Sequence, residues 1–290
     1  MTEKLGSLAV ARSIAALRRD VTAWRRAGEI VALVPTMGAL HAGHLALIAH
    51  AAARADRVVA SIFVNPTQFG PNEDFGRYPR DEAGDAAKLA GARCDLLYAP
   101  DAAAMYAPGF TTAVSAGALA EPLDGQFRPG HFSGVATVVT KLLLQARPDI
   151  ACFGEKDWQQ LQIVRRVARD LDIEVAIEGV PIVREKDGLA LSSRNAYLTA
   201  EERSIAPVLH RILAELAARV GAGADPDASA TAGAEAILKA GFAKVDYLDI
   251  RDAETLSPWT ARERPGRALV AAWLGRTRLI DNEPVAPRKV

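Results

Sequence analysis

The sequence predicts an α/β protein with two domains: a doubly wound, Rossmann-like parallel sheet over residues 1–182, followed by a smaller α+β domain over residues 183–290. Short apolar runs alternate with amphipathic helical patterns up to about residue 180. After that point two helical patterns come first and two strand-like runs follow them. A Pro/Gly turn also separates the first buried run from a helix. Because helical crossovers join parallel strands, ligands are expected at the carboxyl ends of those strands.

Each element has its own signal. Val10, Ile14, Leu17, Val21 and Trp24 form a stripe at helical spacing, which predicts the first helix. An almost uninterrupted apolar run predicts a buried strand over residues 30–34. Further strands are expected at 57–64, 95–98, 149–153, 173–177, 244–250 and 268–274. Helices are expected near 81–92, 134–146, 157–171, 201–220 and 228–240, and a frayed tail over residues 282–290.

The composition and net charge of the chain indicate which kinds of molecule it binds. The chain has 290 residues, of which 50% are hydrophobic, and its 35 basic and 35 acidic residues give a formal charge of zero. A neutral chain has no general attraction to nucleic acid or to an anionic membrane, so small molecules are the expected partners. Two cysteines make no disulfide framework, and no apolar stretch approaches the roughly 20 residues of a membrane span. A cytoplasmic protein is expected.

Two histidines follow the first predicted strand. A proline and a glycine break the apolar run, and His41 and His44 lie where an apolar-periodic helix begins. Backbone N–H groups that lack partners at a helix start attract phosphate, and the helix dipole adds to this attraction. Gly43 has no side chain, which lets a base or a ribose approach the backbone. This pattern predicts a nucleotide site.

Two other interpretations of the histidine pair stay open at this point. The histidines could be ordinary polar residues of a helix start, or they could be part of a metal site. Zinc needs a third and usually a fourth ligand, yet the sequence has no H-E-x-x-H or C-x-x-C motif. His50 falls on another face of the helix, and Cys94 and Cys152 are isolated along the chain.

Three further polar clusters follow predicted strand ends. Asn65 and Gln68 carry amides that could hold hydroxyls and a carboxylate, although an Asn before a Pro is also a common turn. Lys156 can neutralise phosphate, and Asp157 can cap a helix or hold a hydrated Mg²⁺.

The third cluster is Ser192-Ser193-Arg194, which places two hydroxyls and a guanidinium in succession. Such a group can clasp phosphate, although a plain surface loop is the alternative.

Five segments together resemble the pantoate–β-alanine ligase family of the nucleotidyltransferase superfamily. A lone H-x-G-H would indicate only the superfamily, whereas the combination is specific to the ligases. The matching segments are PTMGALHAGH at 35–44, FVNPTQFGPNEDFGRYPR at 63–80, RPGHFSGVATVV at 128–139, FGEKDWQQ at 153–160 and DGLALSSRN at 187–195.

The resemblance implies ATP-dependent condensation of pantoate with β-alanine through a pantoyl adenylate, with release of pyrophosphate and AMP. ATP, pantoate and β-alanine are then the expected partners, and Mg²⁺ is expected to enter with ATP. The first domain would bind ATP and pantoate, and the second would act as a lid. The family also suggests a homodimer.

The resemblance further assigns roles to the matching positions. By similarity, His44, His41, Lys156, Ser192, Ser193 and Arg194 are the catalytic candidates. The implied ATP-binding residues are Pro35, Thr36, Met37, Gly38, Ala39, Leu40, His41, Ala42, Gly43, His44, Gly154, Glu155, Lys156, Asp157, Val183, Leu191, Ser192, Ser193 and Arg194.

Gln68 and Gln160 are implied to bind pantoate, and Asn65 and Arg128 are further candidates for the acid-binding pocket. Asp85 and His131 have no specific role assigned. No residue set is expected to fix a metal without the nucleotide, although Asp157 could contact the Mg²⁺.

Two other functions are compatible with parts of this pattern. One is a different H-x-G-H nucleotidyltransferase that adenylates another small carboxylic acid. The other is a catalytically inactive nucleotide-binding module, against which the complete set of His44, Lys156 and the Ser-Ser-Arg segment argues.

Overall fold

The computed structural model describes residues 2–71 and 73–288. The chain divides into two compact units. Unit 1 consists of the chain up to Ala120, Arg128–Glu155 and Ile163–Pro181, and unit 2 consists of Glu121–Phe127, Lys156–Gln162 and the chain from Ile182 onward. Residues 121–127 and 156–162 were predicted to lie in the first domain. They fall in unit 2 because they contact its strands, as in the hydrogen bond from Tyr247 to Asp124.

The described part of unit 1 contains a seven-stranded sheet in the order β1-β2-β5-β4-β3-β6-β7. Only the pair β1 and β2 is antiparallel in it, and the remaining neighbours are parallel. This confirms the predicted doubly wound sheet. The strands are β1 (Glu3–Leu5), β2 (Leu8–Ala11), β3 (Val31–Thr36), β4 (Arg57–Ile62), β5 (Leu96–Tyr98), β6 (Ile150–Gly154) and β7 (Ala176–Val180).

Helices connect these strands and continue into unit 2. In chain order the described helices are α1 (Ile14–Arg26), α2 (Ala42–Ala52), α3 (Glu82–Ala90), α4 (Ala102–Met105), α5 (Asp124–Phe127), α6 (His131–Ala146), α7 (Trp158–Asp170), α8 (Ala200–Ile205), α9 (Val208–Gly221) and α10 (Pro226–Lys239). No described helix has both the length and the apolar character needed to cross a membrane.

The parallel strands are buried on both faces. Ala32 and Val34 of β3 pack in one apolar cluster with Ile48 of α2 and Leu89 of α3. Helices α1 and α6 pack against each other and also contact β3. Since side chains alternate across a strand, helices on both faces explain why β3 is apolar at every position from Val31 to Val34. The run carries no alternation because neither face meets water.

The described part of unit 2 contains a three-stranded antiparallel sheet in the order β10-β9-β8, formed by β8 (Lys244–Asp252), β9 (Gly266–Leu274) and β10 (Thr277–Val285). Helices α9 and α10 pack against this sheet. Their apolar faces form its core, to which α9 contributes Leu209, Leu213 and Leu216. This confirms the predicted α+β class of the second part of the chain.

Some predicted elements were wrong. Val10 lies in β2, because Ser13 caps the first helix by accepting a hydrogen bond from Ala16 N, so α1 starts after it. The helix predicted at 201–220 is divided into α8 and α9, which meet at Pro207.

The tail predicted from residue 282 was also wrong in its first part. Asn282 and Val285 belong to β10, each is 1% exposed, and β10 pairs with β9 along its whole length. The predicted strand at 173–177 lies three residues later, as β7.

Candidate active site

The two histidines lie where β3 gives way to α2. His41 is the N-cap residue of α2, and its Nδ1 accepts a hydrogen bond from Gly43 N at 3.1 Å. His44 Nδ1 accepts from His41 N at 3.3 Å, so the two side chains cap the helix reciprocally. The ring centroids are 4.1 Å apart. Both imidazoles are therefore held at the positive end of the helix dipole.

This capping determines which ring nitrogen carries the proton. An Nδ1 that accepts a backbone hydrogen bond has no proton, so each neutral ring is protonated at Nε2. The Nε2–H groups of His41 and His44 are thus fixed as donors at the end of β3. Donors in this position suit an anionic ligand such as phosphate.

The loop before His41 is held in an uncommon backbone conformation. Gly38 and Ala39 both have positive φ, at 83° and 51°, and the second value is costly for a residue with a side chain. Asp85, which is 1% exposed, accepts a hydrogen bond from Leu40 N at 2.8 Å. Lys88 donates to Leu40 O at 2.9 Å. Helix α3 therefore holds the loop that leads into the histidine pair.

Gln68 is placed by an amide network at the end of β4. Asn65 is 1% exposed, and its Nδ2 donates to Gln68 Oε1 at 3.0 Å and to Gly134 O at 3.1 Å. Its Oδ1 accepts from the Tyr106 hydroxyl at 2.8 Å. Gln68 Nε2 lies 3.2 Å from Met37 Sδ, which joins two predicted binding segments in unit 1. The contacts of Asn65 indicate that it positions Gln68.

Arg128 and His131 hold the same segment from the other side. His131 Nδ1 lies 2.8 Å from Gln68 O, and its Nε2 lies 2.9 Å from Arg128 Nη1. Because arginine can only donate, His131 Nε2 accepts and its Nδ1–H donates to Gln68 O. The Arg128 guanidinium also forms a two-point ion pair with Glu73, at 2.8 and 2.6 Å. Both residues thus support the Gln68 segment, and the prediction that Arg128 binds a substrate acid stays a prediction.

Gly134 allows α6 to approach this segment closely. A Cβ added at Gly134 would lie 2.4 Å from Thr67 O, which no side chain tolerates without displacement. The second glycine of the RPGHFSG motif is therefore explained by packing behind Asn65 and Gln68.

The second predicted ATP segment follows β6 and crosses from one unit to the other. Gly154 and Glu155 belong to unit 1, whereas Lys156 and Asp157 belong to unit 2. In unit 2, Asn282 Nδ2 donates to Lys156 O at 2.9 Å. Asn282 Oδ1 accepts from Arg267 Nε at 2.6 Å.

Arg267 also stacks on the residue next to this segment. Its guanidinium carbon lies 3.8 Å from the centroid of the Trp158 ring, and Trp158 Nε1 donates to Ala253 O at 2.8 Å. The backbone of Lys156 is therefore fixed from β9 and β10, while Asp157 is exposed and Gln160 is partly exposed.

The Ser-Ser-Arg segment ends a hairpin-like loop in unit 2. Leu191 N donates to Val183 O at 3.0 Å, and Arg184 forms an isolated bridge with Ala190. Ser192 accepts from Arg194 N at 3.2 Å and so caps the short 3-10 turn Ser193–Tyr197. Ser192, Ser193 and Arg194 are all partly exposed, at the start of one turn.

An ion-pair network anchors the base of that loop. Arg184 donates to Asp281 at 2.7 and 3.0 Å and to Glu283 at 2.8 Å. Burial lowers the pKa of Arg184, but the hydrogen bonds and charges of the two carboxylates outweigh it, so the pKa is raised overall. Arg203 pairs with Glu185 and Asp187 on the other side of the loop.

Lys156 and the Ser-Ser-Arg loop meet in unit 2. One pocket is lined by both Lys156 and Ser192, together with Asn195 and Asp281. Adjacent residues of β10 therefore hold the two segments, since Asn282 contacts Lys156 and Asp281 contacts the loop base through Arg184. The sequence shows no sign of this support, because the residues that provide it are far away along the chain.

The described residues contain one cluster of metal-ligand side chains, and it does not include the histidine pair. In residues 2–71 and 73–288, the one group of three or more metal-ligand side chains is His50, Cys152 and Glu178, which contains neither His41 nor His44.

Comparisons with known proteins identify the family. A family model described as pantoate-beta-alanine ligase matches residues 9–284. The chain is 60% identical to the pantothenate synthetase of Paramagnetospirillum magneticum over 278 residues, which cover 96% of the chain and 98% of that relative. It is 57% identical to the pantothenate synthetase of Rhodospirillum rubrum over 277 residues, covering 95% and 98%.

Solved structures give the same result. The crystal structure of pantothenate synthetase from Thermus thermophilus superposes with a TM-score of 0.88 at 48% identity, covering 96% of this chain and 99% of that one. A pantoate-beta-alanine ligase from Francisella tularensis, complexed with beta-gamma ATP and beta-alanine, gives a TM-score of 0.81 at 33% identity, with coverages of 96% and 97%. The chain belongs to the pantoate–β-alanine ligase family.

Proposed function

We propose that this ligase joins pantoate to β-alanine in two steps, through a pantoyl adenylate. In the first step a pantoate carboxylate oxygen attacks the α-phosphorus of ATP, and the bond from that phosphorus to the bridging oxygen breaks to release pyrophosphate. In the second step the β-alanine nitrogen attacks the acyl carbon. The bond from that carbon to the AMP oxygen breaks, and the nitrogen loses a proton.

The order of the steps follows from the leaving groups. A free carboxylate would have to expel oxide, whereas the mixed anhydride expels AMP. The incoming amine must be neutral, yet an aliphatic amine with a pKa near 10.4 is only about one part in a few thousand neutral at pH 7. The site must therefore bind the neutral amine selectively or remove its proton.

One observation carries the assignment of the first step. The Nε2–H groups of His41 and His44 are fixed as donors at the start of α2, and the amide of Gln68 lies beside Met37 in the preceding loop. A phosphate held by the helix start would therefore lie near an amide able to bind the acid. We assign His44 to charge that develops at the α-phosphate, His41 as its companion, and Gln68 to pantoate.

Unit 2 supplies further side chains that we assign to the phosphates of ATP. Lys156 and Ser192 line one small pocket, so the two segments are neighbours in unit 2. We assign Lys156, Ser192, Ser193 and Arg194 together to the phosphates. Val183, whose carbonyl holds Leu191, is assigned to the adenine side, and Gln160 to pantoate.

Mg²⁺ is assigned to the nucleotide rather than to a protein cage. Asp157 fits a water-mediated contact, because its carboxylate is exposed directly after Lys156, and Mg²⁺ keeps most of its waters. When bound, the ion neutralises phosphate charge.

Each group is assigned to phosphate within its own unit, the His41 and His44 pair in unit 1 and Lys156 in unit 2. The homodimer that the family suggests is also part of the proposal. Sedimentation equilibrium of the purified chain tests the dimer.

The overall activity has a direct test. The purified chain is incubated with MgATP, pantoate and β-alanine, and AMP and pantothenate are measured, with each acid omitted in turn. AMP release that depends on both acids supports the proposal. Release with another small acid in place of pantoate would indicate a different adenylating enzyme, and no release would indicate an inactive nucleotide-binding module.

A further inference from the structure

Three side chains with metal-ligand chemistry converge in unit 1, and none of the three is assigned to ATP. His50 lies in the last turn of α2, Cys152 in the middle of β6 and Glu178 in the middle of β7. The imidazole nitrogen, the thiol sulfur and a carboxylate oxygen lie within 4.8 Å of one another. The three residues are distant in sequence, so only the fold brings them together.

The sheet register makes this arrangement well defined. Cys152 and Glu178 are direct partners across the parallel pair β6 and β7, so their side chains leave the sheet on the same face. Helix α2 contacts both of these strands. Each donor thus comes from a regular element, which suits a site with fixed geometry.

The cluster combines a buried end with an accessible one. Cys152 is fully buried, whereas the side chains of His50 and Glu178 are 33% and 19% exposed. An ion can therefore approach from the imidazole and carboxylate side and meet the thiol last. Solvent reaches this side, so water is available there as a fourth ligand.

The contacts of the carboxylate match those of a ligand. Glu178 Oε2 lies 2.6 Å from His50 Nε2, and Glu178 Oε1 accepts from Arg54 Nη2 at 2.8 Å. Metal-binding carboxylates commonly have a hydrogen bond to the oxygen that does not bind the metal. Arg54 also provides the rival explanation, in which Glu178 forms only an ion-pair cluster with His50 and Arg54.

We propose that His50, Cys152 and Glu178 bind one Zn²⁺ ion, with water as the fourth ligand. Zinc binds sulfur at about 2.3 Å and nitrogen or oxygen at about 2.0–2.2 Å, so donors around one ion lie about 3.5 Å apart. His50 and Glu178 must separate by about 1 Å to admit the ion, a change within reach of partly exposed side chains. The thiol gives its proton to solvent as the Zn–S bond forms.

The donor set also selects the ion. Thiolate and imidazole favour Zn²⁺, whereas Mg²⁺ prefers an all-oxygen shell. The site is therefore distinct from the Mg²⁺ that accompanies ATP, and its test does not depend on the ligase activity.

The experiment uses the full chain, freed of metal by a chelator and titrated with Co²⁺ as a spectroscopic substitute and then with Zn²⁺. We expect one Co²⁺ per chain, a near-ultraviolet charge-transfer band from a cobalt–thiolate bond, and displacement of that band by one equivalent of Zn²⁺. Excess Mg²⁺ should leave the band unchanged. Zn²⁺ should also raise the melting temperature, because it binds the folded chain.

Variants assign the ligands. Cys152→Ser should abolish the charge-transfer band, and Cys94→Ser, which changes the other buried free cysteine, should keep it. His50→Gln and Glu178→Gln should weaken Zn²⁺ binding by at least the 10- to 100-fold typical of losing even an outer-shell partner. These two positions are partly exposed, so the variants are expected to fold, which circular dichroism checks.

Several results would overturn the proposal. They are no stoichiometric Co²⁺ binding by the native chain, a thiolate band that survives in Cys152→Ser, or Zn²⁺ affinity unchanged in both glutamine variants. Each would mean that the cluster is an ion pair beside a buried thiol.

Discussion

The side chain of Asn282 donates a hydrogen bond to the backbone carbonyl of Lys156, with 2.9 Å between Nδ2 and the oxygen. The two residues are 126 positions apart, and Asn282 is 1% exposed. The side-chain oxygen of Asn282, Oδ1, accepts a hydrogen bond from Arg267 Nε. One amide of β10 therefore fixes the backbone of the lysine that we assign to the phosphates.

Substitution of Asn282 should slow the reaction without touching a substrate directly. Asn282→Ala removes both contacts and should lower the free energy of unfolding by about 1–3 kcal/mol, since buried groups lose their partners. Asn282→Asp keeps an acceptor for Arg267 but loses the donor for Lys156 O. We expect a lower kcat in both variants. A normal kcat in the aspartate variant would mean that only the Arg267 contact matters.

Loss of His44 or Lys156 should impair the same chemical step. Because both are assigned to charge at the phosphates, His44→Asn and Lys156→Ala should each slow pantoate-dependent ATP–pyrophosphate exchange by about 100-fold or more. Asparagine can keep the cap on His41 N through its oxygen, so His44→Asn separates catalysis from folding. Slowing of only the β-alanine step in either variant would contradict the assignment of that residue to the first step.

Asp85 should act through Leu40 on the loop of Gly38 and Ala39, which we assign to ATP. Asp85→Ala leaves Leu40 N without its acceptor, so the loop of Gly38 and Ala39 should loosen and the KM for ATP should rise. Asp81→Ala is the matched control, because it removes the cap of the same helix, α3, at a cost of about 1 kcal/mol without touching the loop. Equal KM values for ATP in the two variants would show that the Leu40 contact has no specific effect.

The stability of the fold at alkaline pH should depend on Tyr98. Burial raises the pKa of Tyr98 to about 12, and its hydroxyl donates to Gln145 at 2.9 Å. Because an unfolded tyrosine has a pKa near 10, the folded state favours the protonated form. This contribution is fully present below about pH 10 and is lost as the pH rises to about 12.

The test compares the chain with Tyr98→Phe by urea unfolding across that pH range. The unmodified chain should lose stability more steeply, by up to about 1.4 kcal/mol per pH unit relative to the variant. Identical slopes would show that the Tyr98 hydroxyl does not titrate differently in the folded and unfolded states.

Local patterns predicted the elements that carry the histidine pair. The run from Val31 to Val34 is apolar at every position because helices cover both sheet faces, and the spacing after His41 marks the helix start. These signals are local in the sequence, so they can be found without the fold. In unit 2, the predicted strand over residues 268–274 has a similar apolar run.

The contacts that hold Lys156 and the base of the Ser-Ser-Arg loop could not be predicted from local patterns. Asp281, Glu283 and Pro284 give the sequence of β10 the appearance of a polar tail, yet Arg184 neutralises the two carboxylates in the folded chain. The contact between Asn282 and Lys156 joins distant segments and has no local pattern. Val10 fits a helical stripe by spacing, but the cap at Ser13 starts the helix later.

The formation of a pantoyl adenylate is the central claim, and the transfer of oxygen-18 from pantoate tests it most directly. Pantoate labelled in its carboxylate is turned over with MgATP and β-alanine, and the products are analysed by mass spectrometry. Attack of the carboxylate on the α-phosphorus predicts one labelled oxygen in the phosphate of AMP and none in pyrophosphate. AMP without label, or label in inorganic phosphate formed with ADP, would contradict it.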